Sequence, residues 1–444
     1  MRVIESLFTS LVRHEYARSM TFGPISESGG LPVARPGVIY QLYVHIPFCP
    51  VLCPFCSFHR VEYQPQLAAR YFKSLRREIR RYHEQGFVFN DLYVGGGTPT
   101  VNEEELLRTL DLCNELFPLD AISVETNPSD LRPDLLQALR QRGVKRLSVG
   151  VQSFDDGLLK SMDRYDKYGS AETICRALEG ARGIFPTLNV DMIFNLPGQT
   201  EDSLARDLQT LVALRPEQVS YYPLMVADSA RRRVAGSMGP LRKSDSRRMF
   251  EQIVAALSPH YHRSTAWCFS TQGRSIDEYI VGRDEYIGAG SGAFSYVNGV
   301  IHATSFSING YCRRVDAGIS AITRNKHLGW REQMRYDFVM KLFGLSLDKS
   351  WLRQRYGNVF YLQMAVELLG MWILGALQNS SQSLLVTARG EYYWVILMRE
   401  FFNNVNVFRD EMRRQIRSEY HDLALQGSDP DSANLPRADI EHAD

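Results

Sequence analysis

The chain has 444 residues, 44% hydrophobic and 23% charged, with 51 basic residues against 50 acidic. That length can bury one large domain or two unequal ones, and the near-zero net charge leaves no basic excess to face phosphates, which excludes a nucleic-acid binder working by bulk electrostatics. Seven cysteines, an odd number, point to reduced thiols in a cytoplasmic protein rather than a disulfide framework.

Residues 1–37 read as an N-terminal extension: "MRVIESLFTSLVRHEYARSM" lacks the apolar core and cleavage site of a secretory signal. From residue 38 to about 270, short runs rich in Val, Ile and Tyr alternate with stretches of helical periodicity. Strands are predicted at 39–46, 91–95, 121–125, 145–150, 188–194 and 218–222. Helix 65–86 starts with Pro65 in its first turn and stops at Gly86. Helix 102–117 opens with a capping box of Asn102 and Glu105, and helix 200–214 has Thr200 as N-cap. Parallel strands joined by right-handed helical crossovers make an α/β barrel or open sheet. Its functional residues belong at the C-terminal strand ends.

From about 321 to 424 the pattern becomes mainly helical, with "REQMRYDFVMKLFG", "SWLRQRYG" and a strand, turn and final helix in "LLVTARGEYYWVILMREFF" (384–402). The apolar stretch "AVELLGMWILGAL" (365–377) is too short to span a bilayer and carries Glu367, so a buried helix is expected and no membrane span. Residues 425–444 are polar and proline-bearing, and expected to be disordered.

"HIPFCPVLCPFCSFHR" (45–60) crowds Cys49, Cys53 and Cys56 behind the first strand, with Pro47, Pro50 and Pro54 keeping the segment out of a helix. Zinc, with His59 or His45 as fourth ligand, is one reading, although no second knuckle accompanies the triad. The other is a cubane iron–sulfur cluster, in which three thiolates leave one iron open to a small molecule.

Further polar groups fall at the other strand ends. "GGGTPT" (95–100) follows the second strand, where glycines let backbone approach a ligand. Glu125 ends the third, placed to accept ribose hydroxyls. Gln152 ends the fourth, Arg164 follows in "MDRYDKY", and Asp191 lies in "DMIFNLPGQT" on the fifth.

In order, "YVHIPFCPVLCPFCSF", "YVGGGTPT", "VETNP", "GVKRLSVGVQSFDDGLL", "DMIFNLPGQT" and "YIGAGSGAFS" (286–295) resemble the radical S-adenosylmethionine (SAM) superfamily. More narrowly they resemble its oxygen-independent coproporphyrinogen III oxidase-like branch, over roughly residues 38–400. The resemblance implies a partial (β/α)6 TIM-like barrel with its extension over 38–320 and a smaller, mainly helical C-terminal domain covering the substrate. It implies a [4Fe-4S] cluster on Cys49, Cys53 and Cys56, with SAM on the open iron. Reductive cleavage would give a 5′-deoxyadenosyl radical, with the electron from a donor such as flavodoxin or ferredoxin. By motif position Phe55 would pack near the adenine and Gly97 and Thr98 hold the methionine part. Gln152, Arg164 and Asp191 would surround the same nucleoside. Some relatives bind a second SAM, for which the matching positions are Tyr43, Gly96, Glu125 and Phe294.

Three activities compete within that resemblance. Porphyrinogen oxidases of the branch carry a C-G-C ending where this chain has Cys56-Ser57-Phe58, which counts against decarboxylation. C-methyltransferases and cyclopropane-forming relatives share the present form and take a methyl or methylene group from the second SAM, some of them acting on haem. Methyl or methylene transfer to a small-molecule or carrier-bound substrate is therefore expected. The third activity is non-catalytic haem carriage, for which His45, His59, His83, His260 and His262 are axial-ligand candidates. Cys113 and Cys175 read as core residues, while Cys268 and Cys312 flank the "GAGSGAFS" segment, from which one could reach the site. The aromatic run "EYYWVILMREFF" reads as core rather than a substrate pocket.

Overall fold

The computed structural model describes residues 2–19, 21–25, 32–241, 246–272 and 283–425. Helix α1 (Arg2–Ser19) precedes a set of six parallel strands: β1 (Ile39–Ile46), β2 (Val88–Gly96), β3 (Ala121–Thr126), β4 (Val144–Gln152), β5 (Thr187–Phe194) and β6 (Gln218–Pro223). They are hydrogen-bonded to one another in sequence order. Strand β1 buries Leu42, Val44 and Ile46 on one face and Tyr43 and His45 on the other. Such two-sided burial is what a parallel sheet covered by its crossover helices requires.

The crossovers are α2 (Pro65–Glu84), α3 (Glu103–Leu116), α4 (Pro133–Gln141), α5 (Ala171–Ala181) and α6 (Glu201–Leu214). Helix α2 stops as expected, at Gly86 with φ +81°, a conformation without steric cost only for glycine. At α6, Thr200 and Ser203 form a reciprocal capping box. At α3 the Asn102 side chain accepts from the Glu105 amide (3.2 Å), but Glu105 turns its carboxylate to Arg76 (2.6 Å) instead of completing the box. A charge-assisted bond is stronger than the return bond it replaces.

The sheet does not close. Outside β6 lies the antiparallel strand Cys268–Ser270, and outside β1 lies the parallel strand β7 (Tyr286–Ala289). Beyond it follow the antiparallel strands β8 (Phe294–Val297), β9 (Val300–Thr304) and β10 (Ile322–His327). The architecture is a partial (β/α)6 barrel extended at both edges. Strand β10, beyond residue 320, is still paired within that sheet.

Helix α7 (Arg231–Met238) follows β6, and α8 (Ile308–Asp316) packs on α2. The mainly helical part holds α9 (Trp330–Phe343), α10 (Lys349–Tyr356), α11 (Ala365–Ile373) and a three-stranded sheet. It closes with α12 (Ala388–Leu425), which runs well beyond residue 402. Tyr393 and Trp394 of α12 are fully buried, so the aromatic run is core. Helix α1 lies on α12 through Phe8 on Tyr393, Tyr16 on Phe401 and an Arg13–Glu400 ion pair of 2.9 Å.

The expected burial of 365–377 is corrected. Helix α11 buries Leu368 and Met371, but Val366 and Ile373 are each 75% exposed, with Leu369 and Trp372 also at the surface. An i, i+3 pair satisfies one narrow stripe, and the core offers no second face to the rest. Among the described residues no helix is long and apolar enough to cross a membrane. Residues 426–444, expected to be disordered, lie outside the described residues.

Candidate active site

The cysteine loop leaves the C-terminal end of β1 and is closed at its base by backbone bonds. Val61 N donates to Pro47 O (2.7 Å), and Tyr63 N donates to Cys49 O (2.9 Å). Cys49 and Cys53 are buried and Cys56 is half-buried. Burial, with the neighbouring Cys56 charge, pushes the Cys49 thiol up to about 12, against the opposing pull of Arg60 and Thr98.

Cations surround the thiols. Arg60 donates through Nη2 to the carbonyls of Cys53 and Cys56, and its Nε and Nη1 are buried without a partner. Arg164 reaches Cys53 Sγ (3.5 Å), Asn127 Oδ1 (3.0 Å) and the Gly150 carbonyl, and lies 4.2 Å over the Tyr168 ring. The Lys167 ammonium is also buried without a hydrogen-bond partner.

The glycine run meets the loop edge-on. Gly97 N donates to Ile46 O and Thr98 N to Phe48 O, both at 2.7 Å. A Cβ on Gly97 would fall 2.6 Å from Phe48 O and 3.0 Å from Cys49 Sγ. Thr98 Oγ1 lies 3.6 Å from Cys49 Sγ and accepts from Asn127 Nδ2 (2.9 Å). One continuous polar chain therefore runs Cys49–Thr98–Asn127–Arg164–Cys53 across the ends of β2, β3 and β4.

A second group forms beside it. Glu125 accepts from Tyr93 OH (2.8 Å) and Gly96 N (2.9 Å). Desolvation raises its pKa against those bonds and Arg146. Tyr43 OH lies 2.8 Å from His45 Nδ1. Gln152 holds a left-handed conformation at φ +75°, costly for a side chain with a Cβ and common at functional strand ends. Asp191 is bonded to Ser148 Oγ and Asn189 Nδ2, both at 2.7 Å, and pairs in register with Gly150. Phe55 is buried on the cysteine loop.

Phe294 stands apart from that polar chain. It starts β8 and packs with Phe22, Phe306 and Phe408, the last from α12. Asn127, Arg60 and Lys167 are contributors that motif reading passed over. Asn127 lay in the quoted "VETNP" and Arg60 one residue past His59, but nothing local says that either turns toward the thiols.

The residues fit a [4Fe-4S] cluster. They supply three thiols, buried cationic N–H groups without partners, and a glycine cradle that a methyl group would fill. Among the described residues no three His, Cys, Asp or Glu side chains lie close enough to chelate one ion. His59 gives its Nε2 to Ser291 Oγ (3.1 Å), and both His45 ring nitrogens are engaged, by Tyr43 and by the His59 carbonyl (2.9 Å). Both His45 nitrogens and His59 Nε2 are thus engaged within the fold, and His83, His260 and His262 are exposed. Cys113 is buried on α3, as expected of a core residue, whereas Cys175 is only half-buried. Cys268 and Cys312 are fully buried. Cys268 lies opposite Ser220 and Cys312 lies against Ser74, so neither reaches the cysteine loop.

Comparison with known proteins gives a consistent picture. The family model of the radical SAM superfamily matches residues 43–211. The chain is 32% identical over 271 residues to the haem chaperone HemW of Bacillus subtilis, covering 58% of this chain and 71% of that protein. It is 29% identical over 382 residues to the oxygen-independent coproporphyrinogen III oxidase of Salmonella typhimurium, covering 79% and 82%. The coproporphyrinogen III oxidase (HemN) of Escherichia coli superposes with a TM-score of 0.68 at 26% identity, over 82% of this chain and 89% of that one.

Proposed function

Since the chain belongs to the radical SAM superfamily, in its oxygen-independent coproporphyrinogen III oxidase-like branch, we propose that it is a radical SAM enzyme acting on a tetrapyrrole, with methyl or methylene transfer from a second SAM as the outcome. The superfamily's cofactors are a [4Fe-4S] cluster and SAM, which together supply a 5′-deoxyadenosyl radical for hydrogen abstraction. The substrate class is drawn from the relatives, a haem chaperone and coproporphyrinogen oxidases.

The single observation that carries the reading is the polar chain from Cys49 through Thr98, Asn127 and Arg164 to Cys53. It ties the three-thiol loop to the ends of β2, β3 and β4, where the groups expected to hold SAM stand. Cys49, Cys53 and Cys56 would hold the cluster. Gly97 and Thr98 would take the methionine end of SAM, Gln152, Arg164 and Asp191 the rest of it, with Phe55 near the adenine. Arg60 and Lys167 offset negative charge in a site that excludes water. Glu125, already holding Tyr93 and the Gly96 amide, would accept hydroxyls of a second nucleoside, with Tyr43, Gly96 and, from its own aromatic cluster, Phe294 completing that side.

Against decarboxylation stands Phe58, which occupies the position of the last thiol in the C-G-C ending of the porphyrinogen oxidases, where Ser57 takes the place of the glycine. The Ser57 hydroxyl accepts from Ala227 N (2.8 Å) and donates to Met225 O (3.3 Å), so it serves as a structural tie.

The test uses anaerobically reconstituted protein, a reductant, methyl-labelled SAM and haem or a porphyrinogen. Deoxyadenosine with S-adenosylhomocysteine or methylthioadenosine, and label on the tetrapyrrole, is expected. Cleavage without label transfer removes the methyl-transfer assignment, and tight haem binding without cleavage replaces it by carriage. Cys53→Ala should lose both bound iron and cleavage.

A further inference from the structure

The outer side of the cysteine loop carries an unusual set of groups, contributed by three distant segments. Phe58, two residues after Cys56, is 46% exposed, and Pro50 and Val51 at the loop's other bend are exposed as well. The segment leading into α7 lies directly on the loop, because Ala227 N is bonded to Ser57 Oγ. Three consecutive arginines, Arg231, Arg232 and Arg233, follow at once, all exposed.

Helix α12 arrives from the other side. Arg413 donates to the Ser57 carbonyl (3.2 Å) and the Phe58 carbonyl (2.8 Å), while the Arg409 guanidinium lies 5.0 Å from the centre of the Phe58 ring. Asp410, the carboxylate between them, is engaged by Arg413 (2.7 Å) and by Ser229 Oγ (2.6 Å). Arg233 lies within electrostatic reach of Arg60 and Cys56. The result is an exposed aromatic ring, one residue removed from a cluster-ligating cysteine and backed by the buried Arg409 and the Asp410-paired Arg413, with the exposed arginine run starting two residues beyond the Asp410-bound Ser229.

We propose that this surface, formed by Phe58 with Arg232, Arg233 and Arg413, is the docking site for a small acidic one-electron carrier protein of the flavodoxin type. The inference rests on the radical SAM reading. In the step it serves, the carrier is oxidised by one electron and the cysteine-held group is reduced by one, with no bond made or broken. Complementary charge raises the encounter rate of such partners by about 10- to 1000-fold at low salt. An exposed ring beside a run of exposed arginines has the composition of a protein contact. The route is short because Phe58 and Cys56 belong to one tight loop.

The experiment follows cluster reduction by stopped-flow absorbance in the reconstituted holoenzyme, with reduced flavodoxin and, separately, with dithionite. In the wild type the flavodoxin-driven rate should fall steeply with ionic strength. The double variant Arg232→Glu/Arg233→Glu should slow flavodoxin-driven reduction at least about tenfold at low salt. Iron content and the dithionite-driven rate should stay unchanged. The charge-preserving pair Arg232→Lys/Arg233→Lys should restore most of the loss. An unchanged flavodoxin rate in the charge-reversed protein overturns the docking site. So does a variant whose defect appears equally with dithionite, or only as a raised KM for the tetrapyrrole, since the arginines then serve the cofactor or an anionic substrate. A wild type that neither reductant can reduce sinks the radical SAM reading itself.

Discussion

Replacing Gly97 by alanine tests whether the glycine cradle and the cysteine loop are one steric unit. Gly97 has an ordinary backbone φ, so the substitution introduces no left-handed strain, and what it adds is a single methyl group. That carbon would lie 2.6 Å from Phe48 O, about 0.8 Å inside an ordinary 3.4 Å contact, and 3.0 Å from Cys49 Sγ. Neither obstacle is the far end of a flexible side chain. Relief requires β1 and β2 to separate at their C-terminal ends, stretching the bonds from Gly97 N to Ile46 O and from Thr98 N to Phe48 O. Overpacking of this kind costs about 1–3 kcal/mol and each weakened bond about 0.5–1.5 kcal/mol. Urea unfolding of the iron-free protein should therefore show a loss of about 2–6 kcal/mol, and reconstitution should yield less iron per chain because Cys49 is displaced. Gly180→Ala is the control, since its added carbon meets nothing within 4 Å; it should be neutral or slightly stabilising. Wild-type stability and iron content in Gly97→Ala would refute the argument.

Three further outcomes follow from the same geometry. Asp207, buried and accepting from Phe154 N (2.8 Å) and Ser153 Oγ (2.9 Å), has its pKa pushed up to about 7 by desolvation. The native state then keeps a proton that the unfolded chain releases near pH 4, so this group's contribution falls as pH rises from about 4 to 7, by at most about 4 kcal/mol. Asp207→Asn should therefore gain on the wild type between pH 5 and pH 8 in urea melts; a constant difference would contradict the assignment. Glu78→Ala leaves Tyr311 OH (2.6 Å) and the Gly290 amide (2.8 Å) without their buried acceptor. It should cost about 3–5 kcal/mol and speed hydrogen exchange at Gly290, whereas unchanged exchange would show that the 290–293 turn is held elsewhere. Arg164→Lys cannot reproduce the fork in which Nη1 reaches Cys53 Sγ while Nη2 serves Asn127 Oδ1 and the Gly150 carbonyl, so SAM affinity should fall about 10- to 100-fold by equilibrium dialysis. Wild-type affinity would remove Arg164 from the site.

The six barrel strands were legible in the residue string because each is a short β-branched and aromatic run bounded by turn residues, and burial on both faces leaves little else for such runs to do. Helix ends at Gly86 and Thr200 were equally local, and so was the three-cysteine loop, whose prolines and spacing are chemistry written in consecutive residues. Where a competing partner came from another segment, local reading failed. Glu105 abandons its capping box because Arg76 of α2 lies across from it. Helix α11 looks like core by composition, yet it lies at the surface because the domain presents it with only one buried groove. The way α12 returns across the molecule to bring Arg409 and Arg413 onto the Ser57–Phe58 carbonyls has no signature in sequence. It depends on a contact about 355 positions apart. The clustering of the three thiols was thus a property of the chain. The cations around them, and the face they leave to a partner, were decided by tertiary packing, because charge acts through space and recognises no sequence distance.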